Sequence, residues 1–160
     1  MTLRNSLFLL VWFTLFSCDK NRGFDQYKST GESWHKDSIV SFDFTPKDST
    51  QKYNLFLTVR NNNNYPFQNL FLIVEMNQGN KKSIIDTLEY VMANPDGTLL
   101  GNGMTDTKES KLFYKENFTF SHTQPHTFYI QQAVRQQNKI EGVENLEGIT
   151  EIGLRIETIK

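Results

Sequence analysis

Tyr53-Asn54-Leu55-Phe56-Leu57-Thr58-Val59-Arg60 sets a large apolar residue at every second position, with Tyr53, Leu55, Leu57 and Val59 on one side. Successive side chains of a strand point to opposite faces, so this period predicts a half-buried β-strand. The same period recurs before it, where Val40, Phe42 and Phe44 share a face, and after it, where Leu70, Leu72, Val74 and Met76 do. Between the last two strands lies Asn61-Asn62-Asn63-Asn64-Tyr65-Pro66. Asparagine tolerates left-handed backbone and makes Asx-turns, and proline fixes φ and removes a donor. The stretch is therefore expected to be a loop joining two adjacent antiparallel strands.

The pattern continues toward the C-terminus. Residues 83–92 predict a strand, with helix as the alternative near Leu88 to Met92. Leu112-Phe113-Tyr114 and Phe118-Thr119-Phe120 predict strand pieces, residues 127–135 a long strand, and residues 149–159 the last, with Ile152, Leu154, Ile156 and Thr158 alternating. Asn77-Gln78-Gly79-Asn80, Asn94-Pro95-Asp96-Gly97 and Gly101-Asn102-Gly103 read as turns. Pro66, Pro95 and Pro125 all fall in loops, as strands require. The sum is an all-β domain, an antiparallel β-sandwich of about seven strands. Thirteen phenylalanines suit it, because flat rings fill the space between sheets. Phe42, Leu55, Leu57, Val59, Leu72, Val74, Ile130, Leu154 and Ile156 are the expected core.

Ahead of the domain the chain reads MTLRNSLFLLVWFTLFSC, with Arg4 at its start and an apolar run from Leu7 to Phe16 broken only by Thr14. A positive start, an apolar middle and a small residue at the end make a secretory signal. The run is too short for a membrane span, which needs roughly 20 apolar residues. Cys18 directly after Ser17 resembles the lipobox of a bacterial lipoprotein, although Phe16 is bulkier than the residue usual at its position. The resemblance implies residues 1–17 as signal peptide and Cys18 as the lipid attachment site, acylated on thiol (palmitate) and amine. Two or more acyl chains anchor a protein stably where one does not. With its single cysteine so used, the domain has no internal disulfide. Residues 18–33, polar and aperiodic, are expected to be a flexible tether, and residues 34–160 the domain.

Seventeen basic and eighteen acidic residues leave a formal charge of −1, and no block of like charge appears. This argues against nucleic acid, which needs a clustered basic footprint, and against a polybasic membrane patch. His122 and His126 are four apart, but Pro125 lies between them and strand patterns flank them. They are expected to be ordinary surface or turn histidines, with no metal. Asp37, Asp43 and Asp48 lack calcium-loop spacing. No nucleophile elbow or dinucleotide-binding glycine pattern is present. The reading is a non-enzyme without a cofactor.

Two sets of surface candidates remain. Asp37-Ser38-Ile39, Asp48-Ser49-Thr50 and Asp86-Thr87-Leu88 resemble the O-glycosylation acceptor of Bacteroidota envelope proteins, which nominates Ser38, Ser49 and Thr87. Arg60, Tyr65, Phe67 and Asn69 are expected around one hairpin, with Arg135 and Arg155 on the polar phases of two other strands. Arginine and tyrosine dominate interface energies, so these six are candidate docking residues. The alternative is that the arginines pair with carboxylates such as Glu75, Asp86 and Glu157, contributing little.

The domain as a whole resembles the gliding-motility lipoprotein family GldH of the Bacteroidota. The resemblance is carried by Trp34 with Asp37, Tyr53-Asn54-Leu55, Val59-Arg60-Asn61, Tyr65-Pro66 and Asn69-Leu70-Phe71-Leu72. Asp86-Thr87-Leu88, Asp96-Gly97, Gly101-Asn102-Gly103, Gln132-Ala133-Val134-Arg135 and Ile152-Gly153-Leu154-Arg155-Ile156-Glu157 complete it. It implies a cell-envelope lipoprotein that works with other envelope proteins of the gliding and secretion machinery, without catalysis or cofactor. The outer membrane is expected over the inner. The other reading is a surface-exposed β-sandwich lipoprotein that binds glycans or proteins.

The first expected outcome concerns the anchor. Cys18→Ser should abolish incorporation of labelled palmitate and move the protein out of the membrane fraction. Equal labelling of the variant would contradict the lipobox reading.

Overall fold

In the computed structural model residues 22–79, 81–103 and 105–159 are described; Cys18 and the expected signal peptide, residues 1–17, lie outside them. Ten strands run in order: β1 Arg22–Ser29, β2 Ser33–His35, β3 Val40–Phe44, β4 Lys52–Asn61, β5 Asn69–Asn77, β6 Ile84–Val91, β7 Lys108–Thr119, β8 His126–Gln132, β9 Asn145–Glu147 and β10 Ile149–Thr158. They form a four-stranded sheet β1-β10-β4-β7, a second four-stranded sheet β3-β8-β5-β6, and a small pair β2-β9. Every pairing is antiparallel. The all-β antiparallel sandwich expected from the period is the fold.

Each large sheet is apolar on one face, and those faces cover one another. Leu55, Leu57 and Val59 of β4 and Ile152, Leu154 and Ile156 of β10 belong to one core cluster with Leu72 and Val74 of β5 and Ile130 of β8. All nine expected core residues are buried. Trp34 of β2 is fully buried as well, and its indole N–H donates to the Ser38 carbonyl at 2.7 Å. β10 runs between β1 and β4 at close quarters, and Gly153 makes room for it: a Cβ there would meet the Thr58 hydroxyl and the Gln26 carbonyl.

Three expectations are corrected. The tether over residues 18–33 does not hold from Arg22 onward, because β1 pairs with β10 along its length, Arg22 opposite Glu157 and Ser29 opposite Glu151. Its sequence looks aperiodic because it is an edge strand with Gly23, Gln26, Lys28 and Ser29 exposed and only Phe24, Asp25 and Tyr27 drawn inward. The strands flanking the asparagine loop are not neighbours. β4 lies between β10 and β7, β5 lies between β8 and β6, and residues 62–68 carry the chain from one sheet to the other. Stacked sheets sit about 10 Å apart, a gap that a loop of this length spans. About seven strands become ten: the additions are β1 and the short β2 and β9, while the two pieces near residues 112–120 merge into β7. The merger passes a register irregularity opposite Leu55, with Asn117 at φ +52°.

The sheet-to-sheet core predicts the cost of opening it. Leu57→Ala removes a fully buried side chain and should cost about 2–5 kcal/mol, against the roughly 5–15 kcal/mol of a whole domain. Thermal unfolding followed by circular dichroism should show a clearly lowered midpoint; an unchanged one would place Leu57 on the wrong face.

Candidate docking surfaces

Arg60 stands on the outer face of β4, opposite Glu109 of β7 on one side and Glu151 of β10 on the other. Its Nε donates to Glu109 Oε2 at 2.7 Å, its Nη1 bonds Glu151 Oε2, and its guanidinium lies 4.3 Å from the Tyr27 ring centroid. Its hydrogen bonds to the Glu109 and Glu151 carboxylates raise its pKa above the ordinary arginine value. Arg155 of β10 is engaged in the same way, its Nε on Glu157 at 2.6 Å and its Nη1 on Asp25 at 3.3 Å. Two of the three candidate arginines are thus latched to carboxylates, with partners that differ from most of those expected. Asp86 instead takes the Lys115 ammonium at 2.7 Å and the Tyr114 hydroxyl at 2.8 Å. Burial pushes the Asp86 carboxyl up, but these two partners together bring it below its ordinary range.

Tyr65 is 5% exposed and belongs to the core cluster. Its hydroxyl donates to the Asn69 carbonyl at 2.8 Å, and its ring meets Phe67 edge-on at 6.0 Å. Burial raises the phenol pKa. The side chain closes the crossover between sheets from inside. Phe67 is half-buried, and Asn69 donates its amide to Glu89 Oε1 at 2.6 Å. The expected hairpin cluster is therefore an inter-sheet crossover with its aromatics turned in.

Arg135, by contrast, is exposed and has no carboxylate partner among the described residues. It lines an open groove of about 470 Å³ with Phe71, Ile73, Thr87 and Ala133. The groove lies on the outer face of β3-β8-β5-β6. Ile73 stands between Thr87 of β6 and Gln131 of β8, and the Ala133 N–H donates to the Phe71 carbonyl at 2.8 Å. Along the neighbouring edge strand β6, Ile85 is 65% and Val91 59% exposed. Phe71 and Ile73 were missed as site residues. The signal was present: Leu70-Phe71-Leu72-Ile73-Val74 is apolar on both phases, one more than a half-buried strand needs.

The acceptor-like residues differ in setting. Ser38 is exposed, with its N–H donating to the His35 carbonyl. Ser49 is half-buried, and the carboxylate of Asp48 beside it is occupied by the Thr50 N–H and hydroxyl. Thr87 is exposed on the groove wall.

The histidine expectation is corrected for one of the pair. His126 opens β8 fully buried, 4.7 Å from the Phe120 ring centroid and stacked on His122 at 4.4 Å. Its Nδ1 pairs with the Gln124 carbonyl at 2.8 Å, and its Nε2 has no partner among the described residues. Burial lowers its pKa, and the neighbouring His122 adds to the effect. Stacked rings do not converge on a common point, and among the described residues no three His, Cys, Asp or Glu side chains could hold a metal ion.

Two packed antiparallel sheets with an open groove on one outer face define a β-sandwich domain. A family profile described as GldH lipoprotein matches residues 22–156, and the chain belongs to that family. It is 59% identical over 158 residues to the gliding motility lipoprotein GldH of Flavobacterium johnsoniae, covering 98% of each chain. It is 49% identical over 151 residues to a gliding motility lipoprotein GldH homolog of Christiangramia forsetii, covering 94% of this chain and 91% of the relative. The first matched residue, Arg22, is also the first of β1.

His126 gives a pH prediction. Its folded pKa lies below the unfolded value of about 6.5. The unfolded chain therefore binds more protons in that window, and stability present above it falls as pH falls through it. The thermal midpoint should drop from pH 7 toward pH 5, and His126→Gln should flatten that slope. The carboxylates held low, among them Asp86 and Glu157, act only further down, near and below pH 4.

Proposed function

We propose that the chain is a non-enzymatic envelope lipoprotein, anchored through acylated Cys18, that supports assembly of the gliding and secretion machinery by docking another envelope protein. The groove of Phe71, Ile73, Thr87, Ala133 and Arg135 is the docking site. The observation that carries the reading is an apolar floor ending at an exposed arginine without a carboxylate partner among the described residues. Apolar surface sheds water on contact, and a guanidinium accepts a carboxylate with bidentate geometry. The occupant is an extended protein segment with apolar side chains and one carboxylate. Membership of the GldH lipoprotein family, and 59% identity to a gliding motility lipoprotein, support the setting. Of the six residues nominated from sequence, Arg135 keeps the docking role. Arg60, Asn69 and Arg155 serve the fold's own surface, and Tyr65 with Phe67 closes the crossover. The outer membrane remains the favoured location.

Glycan binding of the aromatic-platform kind finds less support. Phe113 is the one aromatic among the large exposed hydrophobics of the described residues; the others are Ile39, Ile85, Val91 and Ile140. Of the nominated glycosylation residues, Ser38 is the one we propose for modification. A glycan on Thr87 would fill the groove, so docking requires that threonine bare.

The test is complementation of a Flavobacterium johnsoniae strain lacking its own GldH. Ile73→Ser combined with Arg135→Glu should leave the protein folded and in the membrane fraction. Recovery of the partner that cross-links to the parent should fall about tenfold or more, a loss of roughly 1.4 kcal/mol or more, and colony spreading should fall with it. Full partner recovery and spreading with the folded double variant would move the site elsewhere.

A further inference from the structure

We infer that the end of the sandwich nearest Cys18 is a lysine-bearing face that rests on anionic lipid headgroups. This rests on the anchoring reading proposed above and adds an orientation to it. The argument begins where the folded chain begins. Arg22, the first residue of β1, pairs with Glu157 near the end of β10. Only Asp19, Lys20 and Asn21 separate it from Cys18. Four residue steps reach at most about 14 Å even when fully extended. The 16-residue tether read from composition would have held the domain well clear of the surface; three residues hold one end against it.

The topology defines which loops share that end. Ile159 N–H donates to the Lys52 carbonyl at 3.0 Å, so the start of β4 lies beside the end of β10. The end of β7 is there too, with Thr119 opposite Lys52. In the other sheet Phe44 pairs with His126 and Asn77 with Thr127, and the Phe44 and Tyr53 rings, 5.7 Å apart, join the two sheets at this end. The Ser121 hydroxyl reaches Gln78 Oε1 at 3.2 Å, tying the turn after β5 to the loop before β8. Residues 45–52, 78–79, 81–83 and 120–125 therefore crown the membrane-proximal end.

Those segments carry Lys47, Lys52, Lys81 and Lys82 against the single carboxylate of Asp48. All four lysines are exposed, and none has an ion-pair partner among the described residues. The segments at the opposite end, residues 30–39, 61–68, 92–103, 105–107 and 133–148, hold seven carboxylates and three cations. A chain of net charge −1 is thus polarised along the strands, positive toward the lipid and negative away from it. The sequence shows no basic block because these lysines are brought together only by the fold. Attraction of lysine to an anionic leaflet decays within a Debye length, about 8–10 Å at physiological salt. The short link keeps the lysines on the order of that distance, while strands of ten residues put the acidic end some 34 Å further out.

The experiment uses the mature acylated protein reconstituted into neutral phosphatidylcholine vesicles and into vesicles with about 30% phosphatidylglycerol. Flotation reads the anchor, and amine-reactive labelling followed by peptide mass spectrometry reads each lysine. Labelling at Lys47, Lys52, Lys81 and Lys82 should fall about fivefold or more on anionic vesicles and return in high salt. Lys36 and Lys139 at the far end should label equally on both. Flotation with both vesicle types but equal labelling of the two ends on anionic ones would overturn the headgroup contact and leave the anchor standing. Protection that is the same on neutral vesicles would overturn it too, by showing simple crowding. Flotation with anionic vesicles alone would remove the anchor and keep the charged contact, and flotation with neither would remove both.

Discussion

Two sheets with one apolar face each have a single way to hide both faces from water, and everything else in this domain follows from it. β4 and β10 supply one side, β5 and β8 the other, and their inward residues form one continuous cluster. Burial of apolar area contributes on the order of 25 cal/mol per Å². A chain with a single cysteine draws its stability from this contact rather than from cross-links. The crossover at residues 62–68 is a consequence: β4 and β5 are consecutive in sequence yet face each other across the core.

The interior is not evenly built. At the end where β1 begins, Phe24, Phe44, Tyr53, Phe118, Phe120 and Phe128 meet in a chain of mostly edge-on contacts, with centroids 5.0 to 6.4 Å apart. Pairs of this geometry contribute about 0.5–1.5 kcal/mol beyond their area. The chain joins β1, β3, β4, β7 and β8, so it ties the edge strands into both sheets. His126 sits inside it against Phe120, and this burial lowers the imidazole pKa below its ordinary value. The same end carries the lysine loops. The outer face of β3-β8-β5-β6, away from it, carries the apolar groove.

The two outer faces are used differently. On β1-β10-β4-β7 the charges are consumed internally: Arg60 bridges Glu109 and Glu151, and Arg155 bridges Glu157 and Asp25. Phe56 and Phe113 pack against one another there, and the Lys111 ammonium covers the Phe56 ring at 3.9 Å. On that face the charged side chains pair with one another, while Phe113 stays half exposed. The opposite face leaves Ile85, Val91 and Arg135 exposed beside the groove that Phe71 and Ile73 line.

The strands, their inward faces and their turns were legible in the sequence because period and turn chemistry are local. Leu55-Leu57-Val59 and Ile152-Leu154-Ile156 report which side is buried whatever they pack against. The edge strand β1 was illegible for the same reason: with most of its residues exposed, its period carries no hydrophobic mark, and only pairing with β10 reveals it. Pairing itself is long-range. Arg155 meets Asp25 across 130 residues, and Arg60 meets Glu151 across 91, so no local pattern could name those partners. Tyr65 read as a surface anchor because tyrosine is amphipathic; only the crossover decided that its ring turns inward. Lys47 and Lys82 are scattered in the chain, and it took antiparallel topology, which returns every second loop to the same end, to gather them beside the start of β1. Local chemistry chose the elements of this protein, and the packing of its sheets chose what each surface is for.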